Sequence, residues 1–228
     1  MAGTGRHRRG VAQRSDAAHA AQHRESRRSL RREDSRIRFS ADHHGSLSFG
    51  GLFAQILAYR GLGSAVVGVD PGAPAGVLSL PFSTLRAAAP VLANPLNIGA
   101  ATMLTPEQFH YAFTNTLSPE KSKELYDRYA VPCANRVLYE GAFENFVPHS
   151  PARVDVKSDR PPILLIAGGE DHLVPAEYTR SNFKLISQSR ALTALKEFPG
   201  RPHFTGAVEG WEAVADYALE WALNPVAS

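Results

Sequence analysis

The run P-P-I-L-L-I-A-G-G, Pro161 to Gly169, is almost wholly apolar and stops at two glycines. A strand with no polar alternation is buried on both faces, the habit of a parallel sheet. Parallel neighbours need long crossovers, usually helical. The chain supplies them on either side. "PAEYTRSNFKLISQS" (175–189) reads as a helix with Phe183 and Ile186 inward, "TALKEFPG" (193–200) as the next strand, and "GWEAVADYALEWAL" (210–223) as an amphipathic closing helix. Upstream, "SAVVGVDP" (64–71) is a second short apolar strand. Before it, "SFGGLFAQILAYRGLG" (48–63) spaces Leu52, Gln55, Ile56 and Tyr59 as a helix, with Gly61 and Gly63 as stops. A weaker extended pattern, Ile37, Phe39 and Ala41, precedes it. Strand alternating with helix predicts an α/β fold with a mostly parallel sheet.

The alternation breaks over residues 72–152. Pro- and Gly-rich turns give way to "TPEQFHYAFTNT", "SPEKSKELYDRYA" and "NRVLYEGAFENF", each opened by Thr, Ser or Asn. An α-helical insertion at this place covers the carboxyl edge of the sheet, where α/β ligands bind. Its aromatic residues, Phe109, Tyr111, Phe113, Tyr126, Tyr129, Phe143 and Phe146, would give it an apolar face. The predicted organisation is a disordered arginine-rich leader at 1–35, a core at 36–71 and 153–228, and a helical cap at 72–152.

Charge is unevenly placed. Residues 1–38 hold eleven Arg and four acids, net +7, so the whole-chain +3 leaves −4 for the remainder. The folded part is mildly acidic, so the whole-chain balance is no argument for a nucleic-acid-binding fold. The leader lacks Lys and interleaved aromatics, so it reads as a basic tail rather than a specific nucleic-acid site. The one cysteine, Cys133, rules out an internal disulfide and a cysteine-rich metal site, and it reads as a small packing residue. With no disulfide the fold needs no oxidising compartment, so a cytoplasmic setting is the default, and no segment has the length of apolar sequence that a membrane span needs. No metal-ligand spacing or dinucleotide glycine pattern occurs, and no cofactor is implied. His110 and His149 read as satisfied or solvated.

Three residues fall where chemistry would need them. Ser48 sits between a strand pattern and a helix, followed by Phe49, Gly50 and Gly51. A nucleophile on such a turn needs small neighbours, although Ser46 stands where the G-x-S-x-G pattern has glycine. A helix cap is the competing reading. Asp171, in "GGEDHLVP", follows the strongest strand and could orient an imidazole, with Glu170 as the fallback acid; the alternative is a turn-forming Asp. His203, in "FPGRPHFTG", follows the last strand in a loop suited to a proton shuttle. The order Ser, Asp, His, each after a predicted parallel strand, brings all three to one sheet edge.

With these segments the chain resembles the α/β-hydrolase family with a helical cap, over about Ser46 to Leu223. "SLSFGGLFAQ", "VVGVDP", "PPILLIAGGEDHLVP", "FPGRPHF" and "WEAVADYALEWA" carry the resemblance. It implies Ser48 as nucleophile, Asp171 as acid, His203 as base and the Phe49 amide as one oxyanion-hole donor. The implied reaction is cleavage of an ester or similar acyl bond in a small apolar molecule. The family places roughly four strands before the elbow. Here about 47 residues precede Ser48, with room for one, so the expectation is a partial α/β-hydrolase fold without the N-terminal strands or the second oxyanion donor. The exposed sheet edge is a candidate for self-association, and the alternative function is a non-catalytic remnant acting through protein binding.

Overall fold

The computed structural model describes residues 43–227, within the compact unit Asp42–Ser228. The arginine-rich leader and the Ile37–Ala41 pattern lie outside the described residues. Among the described residues four parallel strands form the main sheet: β1 (His43–Leu47), β2 (Ala65–Val69), β5 (Ile163–Gly168) and β6 (Thr193–Phe198), in spatial order β1-β2-β5-β6. Each is joined to the next by helix. α1 (Phe49–Tyr59) links β1 to β2, α6 (Ala176–Ile186) links β5 to β6, and α7 (Trp211–Leu223) follows β6.

The sheet is covered on both faces, as the continuous apolar strands require. Val66, Ile163 and Leu165 point to one side, where they pack with Ala54 and Ala58 of α1 and Ile186 of α6. Their neighbours Ala65, Val67, Leu164 and Ile166 point to the other, against Val214, Trp221 and Ala222 of α7. The two-residue period of a strand thus sorts one sequence run into two cores. Residues 163–167 are all at most 1% exposed, so β5 is the centre of the molecule.

Between β2 and β5 the chain forms the helical excursion. It contains α2 (Phe82–Leu92), a two-residue strand β3 (Ala101–Thr102), α3 (Pro106–Phe113), α4 (Pro119–Tyr129), its partner strand β4 (Cys133–Ala134) and α5 (Asn135–Phe143). Thr105 and Gln108 make a reciprocal capping box at the start of α3, and Ser118 caps α4 through the Lys121 N–H. These are the signals that mark both starts in the sequence.

Two features differ from expectation. α2 lies where turns were expected, because Pro90 falls inside it and its N-terminus has no side-chain cap. The ring sits in the last turn, where the loss of one N–H is tolerated more readily than at mid-helix. Cys133 is exposed on β4 rather than packed, since the β3–β4 pair stands at the surface. Among the described residues no helix is long and apolar enough to cross a membrane.

Candidate active site

Because β1, β2, β5 and β6 run parallel, the segments that leave their C-terminal ends converge on one edge. Ser48 leaves β1, Asp70 leaves β2, Asp171 follows β5 and His203 follows β6.

Ser48 occupies the turn between β1 and α1 with φ 56° and ψ −124°, a combination that costs a non-glycine residue about 1–3 kcal/mol. Its neighbours over-determine it. The Ser48 N–H donates to the Val69 carbonyl (3.0 Å), and the Ser48 carbonyl accepts from the Leu52 and Gly72 N–H groups (3.3 and 3.0 Å). The side chain makes no capping hydrogen bond, so the helix-cap reading does not describe it. Space around the turn is limited. A Cβ on Gly51 would lie 2.6 Å from Pro71 Cβ, and one on Gly50 would collide with the Ser46 side chain. The departure from G-x-S-x-G therefore has a direct consequence: the Ser46 side chain fills space beside Gly50.

Asp171 and His203 are 3% and 1% exposed and are hydrogen-bonded. His203 Nδ1–H donates to Asp171 Oδ2 at 2.7 Å. Asp171 Oδ1 accepts from the Leu173 and Val174 N–H groups at 2.7 and 2.8 Å. Those two bonds lock the carboxylate rotamer, and of Glu170 and Asp171 it is Asp171 that is hydrogen-bonded to His203. Burial works against a charged His203, but the Asp171 carboxylate and its hydrogen bond outweigh it, and the pKa is raised. An imidazole so arranged can take up a proton at Nε2. That atom is buried and without a partner, and Ser48 does not reach it by hydrogen bond.

A second carboxyl faces the pair. Asp70 is fully buried, and Oδ1 accepts the Gly168 N–H at 2.6 Å. One polar atom from each of Asp70, Asp171 and His203 lies within 4.8 Å of the others. Burial, then the nearby Asp171, raises the Asp70 pKa to about 8, so Asp70 is largely neutral at pH 7 and leaves Asp171 as the partner of the imidazole. The three groups could in principle ligate a metal. Asp171 is committed, however, one oxygen to two amides and the other to His203, which is the pattern of an acid–base pair.

No protein-family model matches the chain, and no curated protein matches it in sequence. Solved structures do match. A monoacylglycerol lipase from Paleococcus ferrophilus is 20% identical, with 79% of this chain and 67% of that one covered and a TM-score of 0.50. A mutant of polyneuridine aldehyde esterase is 18% identical, with 78% and 70% covered and a TM-score of 0.51. The described residues have a partial α/β-hydrolase fold. At these identities the likeness is one of fold.

In this α/β-hydrolase fold the helical excursion reaches down onto both loops that carry Asp171 and His203. Phe204 N–H donates to the Phe113 carbonyl (2.9 Å), and the Phe113 ring meets His203 edge-on at 5.3 Å. Asn115 Nδ2 donates to the Glu170 carbonyl (2.9 Å). His172 Nδ1 lies 3.0 Å from the Tyr111 carbonyl, and since a carbonyl only accepts, that nitrogen carries the proton. Beside Ser48 and Phe49 is a cavity of about 320 Å³ walled by α2, α3, α5 and the β3–β4 pair. Its lining contains no Asp, Glu, Lys, Arg or His. Phe49 begins α1, so its amide is among the first-turn donors without an intrahelical acceptor.

Sequence reasoning missed two contributors. Asp70 was visible as the acid in "VVGVDP", the same place on its strand that Ser48 holds on the preceding one. Asn135, which lines the cavity, carried no signal beyond its place at a helix start, whereas Phe113 is one of the aromatic residues expected to give the insertion its apolar face.

Proposed function

We propose that the protein is a serine hydrolase cleaving an ester or similar acyl bond of an uncharged, largely apolar small molecule. Ser48 Oγ attacks the carbonyl carbon as His203 Nε2 takes its proton, and Asp171 stabilises the imidazolium. The C–O bond to the alcohol breaks, the proton passes from His203 to the departing oxygen, and an acyl-Ser48 ester remains. Water, deprotonated by the same nitrogen, then releases the acid and restores Ser48. The Phe49 N–H faces the developing oxyanion as one donor.

The observation that carries this reading is the 2.7 Å Asp171–His203 bond at the same sheet edge as a serine held at φ 56°. The uncharged cavity beside Ser48 supports the apolar substrate, and the names of the two structural relatives, a lipase and an esterase, point the same way. The test is labelling by a fluorophosphonate probe that disappears in Ser48→Ala. Absence of labelling in folded protein overturns the reading.

One observation favours a second reading, a binding protein without catalysis. His203 Nε2 has no partner, so the nucleophile is not hydrogen-bonded to its base. Ligand binding without labelling is its signature.

A further inference from the structure

Gly141 lies inside α5 (Asn135–Phe143), where glycine is the weakest helix former after proline and so calls for a reason in the packing. Phe49 supplies one. A Cβ added at Gly141 would lie 2.8 Å from Cε1 and 3.0 Å from Cζ of the Phe49 ring. The tip of that ring therefore rests in the slot that the missing side chain leaves on α5.

Both partners belong to the cavity wall. Asn135, Leu138 and Gly141 are spaced by three along one face of α5, and the first two line the cavity. Phe49 lines it from the elbow, next to Ser48 at the start of α1. Its ring reaches from the elbow to α5 and so closes the seam between those two walls. The polar members Thr102, Tyr129 and Cys133 belong to α4 and the β3–β4 pair, and discrimination at the Phe49 seam is by size. A methyl on Gly141 would shift the ring rather than the helix, because a phenyl tip turns about χ1 and χ2 whereas the backbone of α5 is held by its hydrogen bonds. Driven off α5, the ring has the cavity to move into.

We propose that Gly141 is a positioning residue that sets the size of group the cavity accepts, acting through Phe49. Its slot holds the ring back and leaves room beside Ser48 for a bulky apolar group, an aryl or branched chain, next to the carbonyl that Ser48 attacks. That the occupant is a substrate rests on the hydrolase reading, whereas the dependence of the room on Gly141 does not.

The test titrates the full chain with N-phenyl-1-naphthylamine, an uncharged aryl dye that brightens in apolar surroundings, and measures kcat/KM for p-nitrophenyl benzoate and p-nitrophenyl acetate. Gly141→Ala should weaken dye binding about tenfold and lower the benzoate-to-acetate ratio by a similar factor, the scale of overpacking by one methyl. Adding Phe49→Leu, which ends the side chain before the obstructed atoms and keeps the amide, should restore both. A merely structural glycine would lower both esters alike and would not be rescued at Phe49. Equal dye affinity in the parent and Gly141→Ala overturns the proposal. So does a loss that Phe49→Leu fails to restore, or a Gly141→Ala chain that circular dichroism shows unfolded both with and without Phe49→Leu. Absence of dye binding in the parent overturns it as well. A dye response as expected with neither ester hydrolysed removes the hydrolase and leaves Gly141 its role.

Discussion

Phe113 and His203 touch through their rings, centroids 5.3 Å apart at 70°, while Phe204, the residue after His203, donates its N–H to the Phe113 carbonyl. The last turn of α3 is therefore one wall around the His203 ring. Phe113 also stacks on Phe109 at 5.2 Å. Replacing it with alanine removes ring contacts to Phe109, His203 and Phe204, each about 0.5–1.5 kcal/mol, and part of the apolar burial. We expect Phe113→Ala to lose about 2–3 kcal/mol in urea denaturation and to label more slowly with fluorophosphonate. An unchanged labelling rate would detach α3 from the site.

Asp171→Asn places an N–H donor opposite His203 Nδ1, which then has to present its lone pair and carry its proton on Nε2. In that tautomer the imidazole has no site for the Ser48 proton. Loss of about 10⁴ in rate is expected where the triad operates. The measurement is the rate of p-nitrophenyl ester hydrolysis, with circular dichroism to confirm folding. A loss below tenfold would show that Asp171 does not orient the base.

Asp70 gives the fold a pH dependence of known sign. Its folded pKa, raised to about 8, stands above the ordinary carboxyl value near 4. Between those limits the folded chain holds a proton that the unfolded chain has lost. The contribution is fully present below about pH 4 and is lost as pH rises toward 8, with a slope of at most about 1.4 kcal/mol per unit. Asp70→Asn keeps an oxygen for the Gly168 N–H and removes the titration. Its unfolding free energy should fall less than the parent's from pH 5 to pH 8. Parallel curves would mean that Asp70 stays charged when folded.

The sheet was readable because its strands carry their burial in composition. An unbroken apolar run between turn residues, as in Ile163 to Gly168, suits a doubly covered parallel strand, and Ser48, Asp171 and His203 each follow such a strand, which points to the one sheet edge that their loops share. The capped helices α3 and α4 were readable from Thr105 and Ser118. What could not be read depends on distance in space. α2 hid behind Pro90. The proximity of Asp70 to the Asp171–His203 pair arises only when β2 is laid beside β5, and the unpartnered oxygen of Asn135 only when α5 closes over the cavity. Side-chain satisfaction is a property of the assembled fold, and local propensity carries no trace of it.

The elbow offers a comparison between adjacent glycines of α1. In an unobstructed helix either change to alanine would be favourable by up to about 1 kcal/mol. On Gly51 the new Cβ meets Pro71, at 2.6 Å from its Cβ and 3.1 Å from its backbone Cα, atoms that can retreat only by moving the loop that holds Ser48 through Gly72. On Gly50 it meets the Ser46 side chain, whose hydroxyl can rotate away while its Cβ stays 3.3 Å distant. Gly51→Ala should therefore cost about 1–3 kcal/mol, the usual toll of overpacking, and slow fluorophosphonate labelling. Gly50→Ala should stay within about 1 kcal/mol of the parent. Adding Ser46→Gly should improve Gly50→Ala but not Gly51→Ala, because it removes the obstruction of one site only. Denaturation of the four variants measures that coupling as a cycle, and an equal effect of Ser46→Gly on both alanines would show that Ser46 does not crowd the turn.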